Sequence, residues 1–431
     1  MLYTKIMKID LPPAFVEEMK DLLKEDFSLL QACYENEAYC GLRLNPLKIS
    51  KKDFLAKQKF SLQPIPWCST AFYYQKGEIV SKHPWHHGGF YYIQEPSATK
   101  VVEAMKIETD DLVLDLCAAP GGKASQIAGK LENGLLIANE INYSRATVLA
   151  GNLERLAVAS AVVTNETPER LISSFTAYFD KILVDAPCSG SGMFRKDPTT
   201  IKQWQASSPQ SCATRQRHIL STAQALLKKG GLLAYSTCSF SFEENAAISQ
   251  WFLSNHPEFS LLKEERMWPF QIAGEGGYYA LFKKAGFADK RENKVFKRKK
   301  ELENTVRSWL ALNEIEFPTS LVHPWGQQIN MIAENFPSVK GLKILRFGLP
   351  LGNVRNLNFV PHHSLALALK PNLPLDEKAA YSYLNGESFK ISKDDGWYVV
   401  GFEDCSLGWA KLSQGILKNH YPKGLRFKIN I

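Results

Sequence analysis

The alternation of apolar strands with helical stretches after Asp111 is the feature that most constrains the fold of this 431-residue chain. Short apolar segments are separated by stretches that favour helices. The predicted strands are Leu112–Leu116, Gly134–Asn139, Ala161–Thr164, Lys181–Asp185 and Gly231–Tyr235. Strands that alternate with helices are typical of a parallel sheet covered on both faces. The sequence therefore predicts an α/β core, and such sheets bind ligands beyond the carboxyl ends of their strands.

Composition limits the class of protein. The net charge of +8 is compatible with a polyanionic partner, and 45% hydrophobic residues can bury several cores. No window approaches the roughly 20 apolar residues of a membrane span, and the first residues carry charges instead of a signal-peptide core. The eight cysteines include no Cys-x-x-Cys pair, so we predict no metal site. We expect a cytoplasmic protein without membrane contact.

A loop of small residues follows the first core strand and precedes a predicted helix. It reads Asp115-Leu-Cys-Ala-Ala-Pro-Gly-Gly-Lys. Small residues let backbone amides approach a ligand at the positive end of a helix. A Walker-type phosphate loop needs glycine at position 117, which is cysteine, and no Gly-x-Gly-x-x-Gly opens the helix. Glu140 ends the second strand, where an acid can accept hydrogen bonds from a ribose diol, which favours an adenosine-containing cofactor.

Two cysteines lie just beyond the ends of two core strands. Cys188 follows Asp185 by three residues, and Cys238 ends the segment Gly231-Leu-Leu-Ala-Tyr-Ser-Thr-Cys. A single cysteine at such a position is more often a small buried hydrophobic residue than a catalyst, but the shared position of these two favours a catalytic role. One reaction that requires a positioned cysteine is methylation of cytosine, because carbon 5 of the ring becomes nucleophilic only after a thiolate adds to carbon 6. Asp185 can hydrogen-bond or protonate ring nitrogen 3, and a second thiol can assist release.

Three sequence blocks resemble the Nol/Nop/Sun family of S-adenosylmethionine-dependent RNA 5-methylcytosine methyltransferases. They are Leu114-Asp-Leu-Cys-Ala-Ala-Pro-Gly-Gly-Lys, Asp185-Ala-Pro-Cys-Ser-Gly-Ser-Gly, and Tyr235-Ser-Thr-Cys-Ser followed by Glu243-Glu-Asn. Leu407-Gly-Trp-Ala-Lys and Asn419-His-Tyr-Pro-Lys-Gly-Leu-Arg are similar to the bacterial RsmF-like ribosomal RNA branch. The resemblance implies a Rossmann-like class I methyltransferase core, a PUA-like module, and methylation of carbon 5 of cytosine in small-subunit ribosomal RNA.

The resemblance also implies roles for individual residues. Cys238 would be the attacking nucleophile, Cys188 would assist product release, and Asp185 would contact both the cytosine and the cofactor region. The residues expected to hold S-adenosylmethionine are Cys117, Ala118, Ala119, Pro120, Gly121, Gly122, Lys123, Glu140, Arg145, Asn165 and Asp185. Asn165 stands near the position of an aspartate that commonly reaches the adenine in the family.

Five segments are expected along the chain. They are an N-terminal α+β RNA-binding domain (1–95), an S-adenosylmethionine-dependent methyltransferase domain (96–285), a basic linker (286–305), an intermediate domain (306–375) and a PUA-like RNA-binding domain (376–431). Nine of the eighteen residues 283–300 are Lys or Arg, which suits either a solvated linker or an arm that contacts RNA phosphates. Arg43 and Asn45 are further candidates for RNA contact.

Two rival functions differ from RNA methylation. The first is cytosine-5 methylation of DNA, in which the Pro-Cys turn at Cys188 would provide the nucleophile. The second is a ribosome-assembly or RNA-chaperone protein that keeps the fold without turnover. The Thr237-Cys238-Ser239 block and the PUA-like tail argue against the first, and the combination of Asp185, Cys188 and Cys238 argues against the second, because a binding protein has no chemical need for all three.

Overall fold

The computed structural model describes residues 9–287, 300–315, 322–332, 339–355 and 358–426. The predicted RNA-contacting arm therefore lies outside the described residues except for its ends. In the N-terminal part, short helices surround a small sheet. The elements are α1 (Pro13–Leu23), α2 (Phe27–Tyr34), β1 (Gly41–Leu44), α3 (Lys51–Lys57), β2 (Gln63–Pro64), β3 (Ala71–Tyr73), α4 (Pro84–His87) and β4 (Tyr91–Ile93). The sheet is antiparallel with the order β2-β3-β1-β4, so the predicted α+β character is confirmed.

The central part alternates strands and helices in the predicted order. Its elements are α5 (Ala98–Ala104), β5 (Leu112–Asp115), α6 (Gly122–Ala128), β6 (Leu135–Asn139), α7 (Tyr143–Arg155), β7 (Ala161–Thr164), α8 (Pro168–Phe175), β8 (Phe179–Asp185), α9 (Thr199–Gln203), α10 (Ser208–Leu226), β9 (Leu227–Thr237), α11 (Ala246–Asn255), β10 (Phe259–Met267) and β11 (Gly277–Lys284). Strands β5 to β9 run parallel, so the predicted parallel sheet is confirmed. β10 and β11 extend it with antiparallel pairing beside β9.

Burial of both sheet faces explains the apolar runs in the sequence. Along β5, Leu112 and Leu114 belong to the hydrophobic cluster on one face, and Val113 belongs to the cluster on the other. Because successive side chains of a strand point to opposite faces, a strand covered on both sides must be apolar throughout. The local sequence therefore already contained the signal for a doubly covered sheet.

The C-terminal part contributes two further sheets and one strand of the central sheet. Its elements are α12 (Lys300–Leu312), β12 (Val322–Trp325), β13 (Gln328–Met331), β14 (Ile344–Phe347), β15 (Leu349–Arg355), β16 (Asn358–Pro361), α13 (His363–Ala368), β17 (Leu373–Leu375), α14 (Glu377–Asn385), β18 (Phe389–Lys390), β19 (Gly396–Phe402), β20 (Cys405–Ser413) and β21 (Ile416–Asn419). The two sheets have the orders β12-β13-β15-β16 and β17-β19-β20-β21-β18. β14 pairs antiparallel with β7 and closes the second edge of the central sheet.

Buried polar contacts attach the N-terminal part to the central part. Arg43 is 3% exposed, and it donates hydrogen bonds to Gln94 Oε1 at 2.9 Å and to Ser125 Oγ at 2.7 Å. Asn45 donates through Nδ2 to the carbonyl oxygen of Leu156 at 2.9 Å. The expectation that Arg43 and Asn45 contact RNA was wrong, because both side chains are enclosed between the two parts.

The described residues contain neither a membrane-spanning helix nor a cluster of metal-ligating side chains. None of their helices is both long and apolar enough to cross a membrane. In the same ranges, no group of three or more His, Cys, Asp or Glu side chains is arranged to hold a metal ion.

Candidate active site

A pocket of about 350 Å³ opens beyond the carboxyl ends of β5, β8 and β9, where the sheet topology predicts a ligand. It brings together the small-residue loop, Asp185 and Cys238 from the central part with a wall from the N-terminal part. The lining residues are Tyr92, Ile93, Gln94, Glu95, Ala98, Val101, Asp115, Cys117, Ala118, Ala119, Pro120, Gly122, Lys123, Asp185, Ala186, Met193, Lys196, Ser236, Thr237, Cys238, Met267, Gly276 and Tyr278. The N-terminal part is therefore one wall of the site.

The loop between β5 and α6 needs its glycines for steric reasons. Gly121 has a φ of +113°, which L side chains rarely adopt, and a Cβ there would lie 3.1 Å from Leu149 Cδ1. A Cβ on Gly122 would lie 3.3 Å from the Tyr92 ring. Residues 117–120, 122 and 123 line the pocket, whereas Gly121 makes the turn behind them. The loop can therefore bring its backbone close to a ligand.

Asp115 is a site residue to which sequence reasoning gave no role of its own. It ends β5 and is 1% exposed, and neither carboxylate oxygen has a hydrogen-bond partner among the described residues. Burial, followed by the charge of Asp185, raises the pKa of Asp115 to about 8. A charged residue at the end of an otherwise apolar strand was the signal that could have identified it. The pocket thus contains an acid without a partner.

Asp185 is held between a hydroxyl and an ammonium group. Ser236 Oγ donates to Asp185 Oδ1 at 2.7 Å, and Lys123 Nζ forms an ion pair with Oδ2 at 2.8 Å. Burial by itself would lower the pKa of Lys123, but the Asp185 carboxylate raises it overall. Lys123 therefore stays charged, and it contacts the predicted cytosine-binding acid. The sequence had assigned Lys123 only to the cofactor loop and had not singled out Ser236.

The two predicted cysteines are in contact. Their sulfur atoms are 3.1 Å apart, although the residues follow different strands. The pKa of Cys188 is raised well above its ordinary value, first by its hydrogen bond with Cys238 and then by burial, so Cys188 remains a thiol. The backbone N–H of Gly192 donates to the carbonyl oxygen of Cys238 at 2.8 Å, and a Cβ on Gly192 would lie only 2.7 Å from that oxygen. The turns that carry the thiols therefore pack directly against each other.

The other predicted cofactor residues lie beside the pocket lining. The Glu140 carboxylate accepts a hydrogen bond from the backbone N–H of Asn142 at 2.9 Å and pairs with Arg145 at 3.1 Å. Arg145 also donates to the carbonyl oxygen of Ala119 at 2.8 Å, which connects Glu140 to the loop. Asn165 donates to the carbonyl oxygens of Glu140 and Ile141, each at 2.8 Å. Direct contact of these side chains with a cofactor stays a prediction.

Matches to known families cover most of the chain. Residues 11–96 match the N-terminal domain of 16S rRNA methyltransferase RsmF, and residues 102–283 match 16S rRNA methyltransferase RsmB/F. Residues 308–369 match the first C-terminal domain of RsmF rRNA methyltransferase, and residues 370–427 match the RsmF PUA domain. Together the four matches span residues 11–427 except for 97–101 and 284–307.

Full-length relatives decide the family. Ribosomal RNA small subunit methyltransferase F from Escherichia fergusonii is 36% identical over 470 aligned residues, covering 96% of each chain. The chain belongs to this family. Ribosomal RNA small subunit methyltransferase F from Shewanella piezotolerans is 30% identical, with 89% of this chain and 90% of the relative covered. The predicted resemblance to the RsmF-like branch is confirmed.

Solved structures support the methyltransferase fold of the RsmF-family chain. A methyltransferase homologue from Pyrococcus horikoshii superposes with a TM-score of 0.56 and 28% identity, covering 65% of this chain and 97% of that one. NSun6 from Pyrococcus horikoshii has a TM-score of 0.57 and 20% identity, with 64% and 99% covered. The second likeness concerns the fold alone. The predicted Rossmann-like methyltransferase core is confirmed.

Proposed function

We propose that this protein transfers a methyl group from S-adenosylmethionine to carbon 5 of a cytosine in small-subunit ribosomal RNA through a covalent Cys238–cytosine intermediate. The observation that carries the proposal is the place of Cys238, which lines the pocket with the loop and Asp185 while its sulfur lies 3.1 Å from the sulfur of Cys188 behind the lining. Family membership supports ribosomal RNA as the substrate class, and the match of residues 370–427 to the RsmF PUA domain supports RNA over DNA.

The pocket has groups that fit S-adenosylmethionine, which supplies the methyl group when bound. The unpartnered carboxylate of Asp115 would accept the ammonium group of the methionine part, since a buried acid needs a charged or hydrogen-bonding partner. Loop residues 117–123 would hold the cofactor along their backbone, and Glu140, positioned by Arg145, would accept hydrogen bonds from the ribose. Asn165 would support this contact from behind Glu140.

Asp115→Asn is expected to weaken S-adenosylmethionine binding by about 10-fold to 100-fold, because a hydrogen bond to a charged group is lost. Since the pKa of Asp115 is about 8, its carboxyl is mostly protonated at pH 7. Pairing with an ammonium group favours the carboxylate, so binding should release close to one proton. Calorimetry in buffers of different ionisation enthalpy measures the dissociation constant for S-adenosylmethionine and the number of protons released on binding.

The matched control for this experiment is Asp21→Asn, at an exposed acid on α1. It should bind the cofactor as the unmodified protein does and release the same number of protons. Unchanged affinity and unchanged proton release in Asp115→Asn would mean that Asp115 does not contact the cofactor.

The arrangement of Cys238, Asp185 and Lys123 can activate the cytosine ring. The Cys238 thiol first loses its proton to solvent water. Addition of the resulting thiolate to carbon 6 moves electron density through the ring towards nitrogen 3 and carbon 5. Asp185 would take a proton from the Lys123 ammonium paired with it and donate that proton to nitrogen 3 as negative charge develops there. Ser236 restrains the second oxygen of Asp185, which limits the rotation of the carboxylate.

Release requires transfer of the carbon-5 proton to solvent water, return of the nitrogen-3 proton to the Asp185–Lys123 pair, and cleavage of the bond between carbon 6 and sulfur. The bonding electrons return to Cys238 as a thiolate. Because Cys188 is held as a neutral thiol in contact with Cys238, it can donate a hydrogen bond to the departing sulfur. This gives Cys188 a role in elimination and leaves Cys238 as the attacking group.

Methyl incorporation into small-subunit ribosomal RNA and into duplex DNA tests the proposal. Label from S-adenosylmethionine should enter the RNA, and bisulfite sequencing should show the modification as 5-methylcytosine. Bisulfite sequencing of ribosomal RNA from cells with and without the gene would identify the position. Label in DNA alone would favour the DNA rival. Binding of RNA without any methyl transfer would favour the assembly-protein rival.

A further inference from the structure

The side chain of Glu244 is buried between the two turns that carry the cysteines. It lies in the segment between β9 and α11 and is 0% exposed. Its Oε2 accepts hydrogen bonds from Ser189 Oγ at 2.5 Å and from Ser239 Oγ at 2.6 Å. Its Oε1 accepts from the backbone N–H of Ser189 at 2.8 Å and from Gln216 Nε2 at 3.2 Å. Each oxygen therefore has two donors.

The two serines immediately follow the two cysteines in sequence. Ser189 follows Cys188, Ser239 follows Cys238, and their hydroxyl oxygens are 3.1 Å apart. One carboxylate thus bridges the two Cys-Ser turns just behind the thiols. Gln216 adds a second connection, because Nε2 also donates to the carbonyl oxygen of Pro187 at 3.1 Å.

Hydrogen bonds alone satisfy the Glu244 carboxylate. No lysine or arginine in the described part of the chain forms a salt bridge with it. Removing a carboxylate from water is costly, and hydrogen bonds to the ionised form offset that cost. A buried group that is satisfied in this way holds its donors in one arrangement, since each donor that moves away leaves a charged oxygen less well solvated.

The Cys188 turn depends on Glu244 more than the Cys238 turn does. Ser189 contributes two of the four hydrogen bonds to the carboxylate, and Ser239 contributes one. The carbonyl oxygen of Ser239 also accepts from Asn245 Nδ2 at 2.8 Å, a contact that does not involve Glu244 or the Cys188 turn. Loss of Glu244 should therefore displace Cys188 relative to a Cys238 that remains anchored.

We propose that Glu244 is a positioning residue that sets the contact between the Cys188 and Cys238 sulfurs through Ser189 and Ser239. The inference rests on the proposed function for its catalytic consequence, because only a two-thiol mechanism needs this contact. Attack on carbon 6 needs Cys238 alone, whereas release needs both sulfurs together. Glu244 therefore controls release of the covalent intermediate more than its formation.

Phenylarsine oxide tests the thiol geometry without RNA or cofactor. The reagent forms one arsenic–sulfur bond to each of two adjacent thiols and releases water, so its affinity reports how well the thiols are placed. Glu244→Gln keeps the shape of the side chain but replaces one acceptor oxygen by an NH₂ group. We expect this change in the full-length protein to raise the dissociation constant for phenylarsine oxide by about 10-fold. Ser189→Ala should also raise the dissociation constant for phenylarsine oxide.

The matched control is Glu243→Gln. The Glu243 side chain accepts from Ser241 Oγ at 2.5 Å and makes no contact with Ser189 or Ser239 within hydrogen-bond distance. Its arsenical affinity should stay at the level of the unmodified protein. Circular dichroism and thermal unfolding verify that each variant folds, and Ser189→Ala provides the same measurement if Glu244→Gln does not fold. Folded Glu244→Gln and Ser189→Ala proteins with unchanged arsenical affinity would overturn the proposal.

Single-turnover methylation provides the second measurement. In Glu244→Gln, the covalent RNA complex should form at nearly the normal rate and persist about 10-fold longer, since release alone is impaired. A purely structural role would slow formation and release together, and that result would contradict the proposal. If arsenical affinity falls but no variant forms an RNA complex, the positioning by Glu244 stands and the proposed function fails.

Discussion

Replacement of Cys238 by alanine is expected to abolish methyl transfer and to leave no covalent complex with RNA. Cys238 lines the pocket beside Asp185, and the Cys188 thiol with its raised pKa is a poor substitute for a thiolate. Loss of an enzyme's nucleophile commonly lowers turnover by about four orders of magnitude or more. The measurement is the initial rate of label transfer from S-adenosylmethionine to small-subunit ribosomal RNA.

Cys33→Ala is the control for this substitution. Cys33 lies on α2 and outside the pocket lining, so its replacement should leave the rate within about twofold of normal. Normal methylation by Cys238→Ala would exclude Cys238 as the nucleophile. A covalent RNA complex in that variant would instead assign the attack to Cys188, as the DNA-type mechanism requires.

Replacement of Cys188 by alanine is expected to trap the enzyme on its RNA. Attack by Cys238 remains available, but the departing sulfur loses the thiol that lies 3.1 Å away. Multiple turnover should fall by about 100-fold or more, within the range for loss of an acid–base group, while a near-stoichiometric covalent complex accumulates. Denaturing gel electrophoresis with labelled RNA measures the complex.

The variant with both cysteines replaced separates this complex from non-specific crosslinking. It should show no covalent RNA, because the bond that persists in Cys188→Ala belongs to Cys238. Normal turnover of Cys188→Ala without accumulation of a complex would rule out a role in release. Reversed behaviour of the two single variants would exchange the two roles.

The parallel core was predictable because its signal is local. Strands β5 to β9 are buried on both faces, so each appears as an apolar run, and each intervening helix has its own signal. The edge strands lacked such a signal. β14 reads Ile-Leu-Arg-Phe, and its Arg346 is 4% exposed and donates to the carbonyl oxygen of Val158. A charged residue in a short segment does not reveal that the segment pairs with β7.

The predicted RNA contacts of Arg43 and Asn45 were wrong because a local segment of sequence also gives no signal for contacts between domains. Both side chains are polar, with Arg43 in the short strand β1 and Asn45 directly after it, which suggested exposure to a polyanion. The structure places them against Gln94, Ser125 and the carbonyl of Leu156. Whether a polar side chain faces water or another domain depends on a surface contributed by distant residues. The burial of such a side chain therefore cannot be predicted from its own segment of sequence.

The sequence alone was sufficient to identify the family and to predict which side chains react. Two cysteines, an aspartate and a small-residue loop have chemical identities that do not depend on the fold, and their blocks are specific. How these groups meet depends on the packing of the folded chain: Lys123 pairs with Asp185, the Asp115 oxygens accept no hydrogen bond from the described residues, and Glu244 bridges the two Cys-Ser turns. Reactivity belongs to the residue type, whereas contact distances arise from the packing of segments far apart in the chain.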